Sequence, residues 1–415
     1  MNILFLTPQL PFPPRQGTAI RNWGLIKHLA ARHAITLLSF AETDPSANTP
    51  QLHAACRRMV AVPAPRRTRA DRLRTLLSPH PDLARRLWSP DFARALADLL
   101  RESAFDIVQI EGLEMATYLP FVRGAKLTSP IPNFHLIYDA HNAEYLLQRR
   151  ALATDLRRSQ PARWPAALYS WIQIPRLRKF EAEVCGAVDT VTCVSEEDVA
   201  ALRRLVPTLR PIVVPNGIDV GDYARYPIRD TRHAIRDTLV FTGKMDFRPN
   251  VDAALWFVRE ILPRIRATRP EVQFVIVGQK PVERLLRLNG QNGVVVTGAV
   301  EDVRPFIAGA AVYVAPLRMG GGTRFKLLEA MALARPIVST TLGAEGFAVA
   351  SGRELLLADS PADFAAAVLS LLADPARAAT LGQAGRAFVQ ARYDWSAIIP
   401  KLEAVYEERR TQGAV

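Results

Sequence analysis

Three consecutive glycines, Gly320, Gly321 and Gly322, separate the apolar run VYVAP from the stretch TRFKLLEAMALA, which holds two cations and one carboxylate. Glycine lets backbone approach a ligand closely, and a helix beginning near Thr323 offers N–H groups that carry partial positive charge. Arg324 and Lys326 add whole charges beside it, so the guest that suits this turn is an anion. The spacing is not the GxxxxGK[ST] of a nucleoside-triphosphatase loop, and the chain has no GxGxxG fingerprint. Glycine-rich strand-to-helix turns also occur without ligands, Glu329 then being a solvated helix residue, and the residues alone leave both readings open.

Two further clusters follow apolar runs. Asp139, His141, Asn142 and Glu144 crowd the end of HLIYDA. A lone histidine is commonly a satisfied structural group, but four polar side chains at one strand end read as a site. Lys244 and Arg248 follow TLVFTG, at the carboxyl edge where doubly wound sheets place ligands; the alternative is a pair of surface cations. No Asp-x-Asp triad occurs, which disfavours the metal-dependent transferases, so no metal and no cofactor is expected.

The elements that position these groups follow a regular grammar. From Thr238 onward, short β-branched runs (TLVFTG, VQFVIVG, VVVTG, AVYVAP, PIVST) alternate with helical periods such as VDAALWFVREILPRIRA. Strands apolar along their whole length, separated by helices, predict a parallel sheet covered on both faces. The N-terminal half repeats this more loosely, with NILFLT, AITLLSF, DIVQIEG, HLIYDAH and TVTCVS as strands. Two α/β domains are implied, with the boundary near IVVPNGIDVGDYARYP. Asn216 and Gly217 read as a turn holding the linker. The last helix carries an apolar face at Ile398, Leu402 and Val405, and the other domain is the natural surface for it.

A chain of 415 residues exceeds one ordinary core and suits two domains. Apolar runs stop short of a membrane span, MNILFLTPQLPF reads as a buried strand, and a cytoplasmic location is expected. The three cysteines, Cys56, Cys185 and Cys193, lack metal or redox spacing and suit a reduced compartment. Of the net charge of +13, the residues up to Pro215 carry 28 basic against 19 acidic, and the remainder 25 against 21. The excess concentrates in RRTRADRLRTLL and in QRRALATDLRRSQPARWPAALYSWIQIPRLRKF, where Trp164, Tyr169 and Trp171 interleave with eight basic residues. That pattern suits an anionic membrane surface, and equally a solvated arginine face. A nucleic-acid partner has only charge in its favour, with no recognised module.

The strings PPRQGTAIRNWGLIKHLA, VVPNGID, DTLVFTGKMDFRPNVDAALWF, FVIVG, VVVTGAVEDVRPFIAGAAVYVAPL and GGGTRFKLLEAMALARPIVSTTLGAEG resemble family 4 of the retaining glycosyltransferases over nearly the whole chain. The resemblance implies a GT-B fold of two facing Rossmann-like domains. Residues 1–215, with a C-terminal helix 396–412 crossing back to them, would take the acceptor. Residues 216–395 would hold a nucleoside diphosphate sugar. By the same resemblance Glu329 hydrogen-bonds ribose, as the second glutamate of an E-x7-E motif whose first stands at Gly321 here. Lys244 neutralises the diphosphate, and its companion lysine is Pro249 in this chain, with Arg248 one residue away. Arg324, Lys326, Gly320, Gly321, Gly322, Thr323, Gly298 and Val300 complete the donor side. Gly17 and His141 sit near the reacting centre.

The implied reaction is metal-independent transfer with retention to a lipid-linked or saccharide acceptor, by front-face attack. Cations and a helix end stabilise the leaving diphosphate. A nucleotide-sugar epimerase or phosphorylase of the same fold, or a non-catalytic nucleotide-sugar-binding scaffold, are the rival readings.

Overall fold

The computed structural model describes the chain except residues 15–16, 42–49, 69–70, 72–73, 76, 129–133, 158–163, 225, 227–236, 321–323 and 413–415. It divides into two compact units, Met1–Gly217 with Ile398–Val415, and Ile218–Ala397.

In the first unit β1 (Asn2–Thr7), β2 (Ala34–Ala41), β3 (Arg58–Pro63), β4 (Ile107–Glu111), β5 (His135–Ala140), β6 (Thr190–Cys193) and β7 (Ile212–Val213) form one sheet. Their order is β3-β2-β1-β4-β5-β6-β7 and every pairing is parallel. Ile3, Leu4, Phe5 and Leu6 are wholly buried, which explains why β1 shows an unbroken apolar run and no alternation. Helices α1 (Gly17–Leu29), α2 (Glu144–Arg157) and α3 (Trp164–Ala187) belong to this unit. Phe40, Phe92 and Tyr118 stack in its core at centroid distances of 4.5 and 4.4 Å.

In the second unit β8 (Thr238–Thr242), β9 (Gln273–Val277), β10 (Val294–Gly298), β11 (Val312–Ala315), β12 (Ile337–Ser339) and β13 (Leu356–Leu357) form a parallel sheet ordered β10-β9-β8-β11-β12-β13. Helices α4 (Arg248–Trp256) and α5 (Phe325–Ala332) follow β8 and β11. The strand order reverses between β1 and β4 in one sheet and between β8 and β11 in the other. Crevices open outside the carboxyl ends of strands at such reversals, and ligands bind there.

The final helix, α6 (Trp395–Gln412), starts one residue before the expected 396, because Asp394 Oδ1 accepts from the Ser396 amide and caps it. Ile398, Leu402 and Val405 are buried, and the helix from Ile398 onward belongs to the first unit. Glu403 pairs there with His33 at 2.9 Å and with Arg32 at 2.5 Å.

Candidate functional site

In the second unit three neighbouring strand ends meet as bare backbone. Gly243 follows β8, Gly278 follows β9, and Gly298 closes β10. The Gly243 amide donates to Val277 O at 3.0 Å and the Gly278 amide to Gly298 O at 3.2 Å. Gly278 has φ +148°, and a Cβ there would stand 1.8 Å from Gly243 O. A Cβ on Gly243 would stand 2.6 Å from Asn250 Nδ2 and 3.0 Å from Lys326 Nζ. No side chain fits at either position, so the crevice floor is main chain.

Asn250, on α4, joins this floor to α5. Its Nδ2 donates to Lys244 O at 2.9 Å and its Oδ1 accepts from Lys326 Nζ at 2.7 Å. Lys326 Nζ also lies 4.3 Å from the centre of the Phe241 ring. Burial and the neighbouring Arg324 charge push Lys326 down to about 7, against the pull of Glu329. Glu329 stands one turn further along α5, on the same helix face. Its Oε1 accepts from Tyr223 OH at 3.3 Å, and burial holds its carboxyl up at about 7. Around it, Arg304 pairs with Asp302 at 2.9 Å and lies 5.9 and 4.8 Å from the Tyr223 and Tyr226 ring centres.

The remaining expected donor residues fall as follows. Lys244 is half-exposed, its Nζ 3.6 Å from Asp246. Arg248 is the first residue of α4. Helix α5 begins at Phe325, so Arg324 holds the capping position, and its guanidinium is buried. A Cβ on Gly320 would stand 3.4 Å from both Arg324 Nη1 and Pro249 Cγ. Arg324 therefore brings charge to the place where Pro249 supplies none. Gly298 has φ +70° and open space where a Cβ would be. Val300 packs on the apolar cluster that contains Ile307. Gly321, Gly322 and Thr323 lie outside the described residues.

In the first unit, Gly17 is the exposed first residue of α1 and Arg21 follows one turn later, fully buried. Arg21 grips Asp139 through Nε at 2.7 Å and Nη2 at 2.9 Å, and its Nη1 donates to Pro215 O and Asn216 Oδ1. Asn216 is thus an anchor for this arginine. Thr192 Oγ1 donates to Asp139 at 2.6 Å. His141 Nε2 bonds Glu111 Oε2 at 2.8 Å and lies 3.6 Å from Asp139. Burial raises the Asp139 pKa, but the Arg21 charge and hydrogen bond outweigh it and hold the carboxyl well below its usual range. Burial lowers the His141 pKa, and the Glu111 bond with the two carboxylates more than reverses this. Asn142 Nδ2 is 3.5 Å from Glu144, whose carboxyl burial pushes up to about 7. Glu111, Asp139 and His141 each bring one ligating atom within 4.8 Å of the others. The Arg21 guanidinium, which engages both Asp139 oxygens, already places a positive charge beside this group.

Beside β3 a cavity of about 270 Å³ is lined by Arg66, Arg67, Arg74, Arg85, Arg86 and Trp88, with Asp71 the sole acid among the described residues of its wall. Arg67 is neutralised by Asp82 at 2.7 Å, whereas Arg66 and Arg85 have no carboxylate partner among the described residues. Arg86 reaches Glu114 at 2.8 Å, and Glu114 flanks Gly112 opposite His141 Nδ1. Trp88 stacks between Tyr118 and Phe121, and Phe121 is exposed. Helix α3 attaches to the same wall through Gln173, which accepts from the Asp82 amide, and Arg176, which donates to Thr75 O. Its Trp164, Leu168 and Trp171 are more than half exposed.

The description "Glycosyltransferase Family 4" fits residues 16–222, and "Glycosyl transferases group 1" fits residues 236–374. This chain is a family 4, group 1 glycosyltransferase. The glycosyltransferase is 26% identical over 57% of its length to a GDP-mannose-dependent monoacylated alpha-(1-6)-phosphatidylinositol monomannoside mannosyltransferase of Corynebacterium glutamicum, covering 67% of that protein. It is 31% identical over 47% of its length to the phosphatidyl-myo-inositol mannosyltransferase of Mycolicibacterium smegmatis, covering 51% of it. The chain thus spans about half to two thirds of the length of these relatives. Sucrose-phosphate synthase from Thermosynechococcus elongatus superposes over the whole of both chains with a TM-score of 0.71 at 19% identity, which shows the GT-B fold.

The expected Lys326 and Glu329 meet in one cluster, and His141 heads a second. Sequence reasoning missed Arg21, Glu111, Asn250, Tyr223 and Arg304. A buried arginine near the start of α1 and the acids at the end of β4 carried the only available signal, as charges inside otherwise apolar periods.

Proposed function

We propose that this glycosyltransferase moves a hexosyl group, with retention, from a nucleoside diphosphate sugar held by the second unit to a lipid-linked acceptor held by the first, without a metal ion. The observation that carries the reading is the α5 cluster. Lys326 and Glu329 stand one turn apart on one face, beside a floor of bare strand ends. A carboxylate accepts two ribose hydroxyls, and an ammonium with nearby guanidiniums answers a diphosphate. As the glycosidic bond breaks, charge grows on the leaving diphosphate, and Lys244, Arg248 and Arg324, with Lys326 in its protonated form, are the cations assigned to stabilise it. His141 and Gly17 are the residues this reading assigns to the reaction from the first unit.

The relatives' names, with GDP-mannose as donor and phosphatidylinositol lipids as acceptors, support GDP-mannose as the first donor to try and an anionic lipid as the first acceptor. The arginine-lined cavity suits a lipid phosphate, and the exposed aromatics of α3 suit the headgroup boundary of an anionic membrane. No single described helix is long and apolar enough to cross a bilayer. Incubation with radiolabelled GDP-mannose or UDP-glucose, phospholipid vesicles and EDTA tests it. Label should enter the lipid phase with the donor's anomeric configuration. Inverted product, or label released only as free sugar, would contradict it.

A further inference from the structure

Buried polar groups in the middle of a parallel strand need an account, because each must find a partner or destabilise the fold. β4 carries two of them, Gln109 and Glu111, both with no exposed surface. Two residues apart, they point to the same face of the sheet. Gln109 Nε2 donates to Glu111 Oε1 at 2.6 Å, and Glu111 Oε2 meets His141 Nε2 at 2.8 Å. At the other end, Tyr406 of α6 donates its hydroxyl to Gln109 Oε1, and Tyr406 is itself buried. Burial and the Asp139 charge raise the Glu111 pKa, against the His141 hydrogen bond; with Glu111 ionised, its carboxylate only accepts, and the amide turns its oxygen to the phenol. The four side chains form one unbranched chain from the terminal helix to the histidine, its Tyr406–Gln109 bond joining residues 297 positions apart in sequence, all within the first unit.

We propose that Glu111, held by Gln109 and Tyr406, is a positioning residue for the transfer reaction: it fixes the His141 ring and keeps a proton on Nε2, so that Nδ1 is the atom offered at the strand end. This rests on the proposed function only for its kinetic arm. Nδ1 lies on the side of Gly112, where a Cβ would stand 3.5 Å away. With φ +83°, Gly112 adds no side chain of its own there, and the Glu114 carboxylate flanks the same space from the other side. The charged groups around the ring among the described residues are Glu111 from β4, Asp139 from β5 with Arg21 of α1 behind it, Glu114 from the turn after β4 with its partner Arg86, and Glu144 from α2. Carboxylates outnumber cations there, which favours the imidazolium. An imidazolium donates through both nitrogens, one to Glu111 and one to an oxygen of the bound sugar.

The test compares the full-length protein with Glu111→Gln and Tyr406→Phe. Nitrogen-15 chemical shifts of His141 are followed against pH without substrate, and the pH dependence of kcat and KM is measured with donor and acceptor. In the wild type, kcat should fall as pH rises through the His141 titration. In Glu111→Gln that titration and the alkaline limb of kcat should both move at least one pH unit lower. The kcat at neutral pH should drop about tenfold or more, with donor KM within about twofold of wild type. Tyr406→Phe should move both the same way by less, and its thermal midpoint reports whether it folds. A His141 titration unchanged in both variants overturns the proposal, even if the variants lose stability. The NMR arm needs no turnover, so failure of the transfer reading would appear as absent activity with the titration shift intact.

Discussion

Lys326 and Glu329 are pulled toward neutrality from opposite sides, both to about 7, and burial is the first cause for each. The sign for ligand binding follows from the charges each needs. A diphosphate requires Lys326 protonated, so affinity falls as pH rises above about 7. Ribose hydroxyls require Glu329 ionised, so affinity falls as pH drops below about 7. Nucleoside diphosphate affinity should be bell-shaped around neutrality, and calorimetry in buffers of different ionisation enthalpy should show proton exchange on binding. Glu329→Gln should remove the acid limb. For folding alone the signs differ. The raised Glu329 pKa stabilises below its unfolded value and is lost between about 4.5 and about 7, while the lowered Lys326 pKa makes stability rise from about 7 toward 10.5. Gly278→Ala places a Cβ 1.8 Å from a carbonyl oxygen at φ +148°, so denaturant titration should show a loss of at least about 2 kcal/mol. At this scale the sequence showed Lys326 and Glu329 because both lie inside one motif. It could not show Asn250, whose role depends on a partner 76 positions away, nor the Tyr406–Gln109–Glu111 line. Contacts of that range leave no periodic trace.

Strands at the centre of each sheet were legible because both faces are buried and the run is apolar throughout: NILFLT and TLVFT are β1 and β8. β3 was missed. It is an edge strand with mostly half-buried positions, and its RMVAVP begins with an arginine in the open. β13 has only two residues and shows no pattern at all. Helix α5 was placed near Thr323 and begins at Phe325, since glycine-rich turns do not announce their last residue. Helix α3 yields the element-scale prediction. Its exposed Trp164 and Trp171 bury little in the fold, so replacing both with Asp should leave the thermal midpoint within a few degrees. The same variant should lose flotation with phosphatidylglycerol vesicles, whereas wild type should float with these and not with pure phosphatidylcholine. Equal flotation of wild type and variant would detach α3 from the membrane reading.

At the scale of the molecule, the alternation of strands and helices and the motif order gave the GT-B architecture with its two parallel sheets. The basic excess up to Pro215 coincides with the unit that holds the arginine-lined cavity, and the Lys326–Glu329 cluster proposed for the nucleotide lies in the other. On the proposed reading, this separation keeps two anionic ligands from competing for one basic surface. The most direct measurement is calorimetric titration of the full-length protein with GDP and with UDP, repeated on Glu329→Ala. At least one nucleotide should bind with one-to-one stoichiometry, and its affinity should fall at least about tenfold in the variant. Absence of binding for both, or equal affinity in wild type and Glu329→Ala, would contradict the assignment of the donor site.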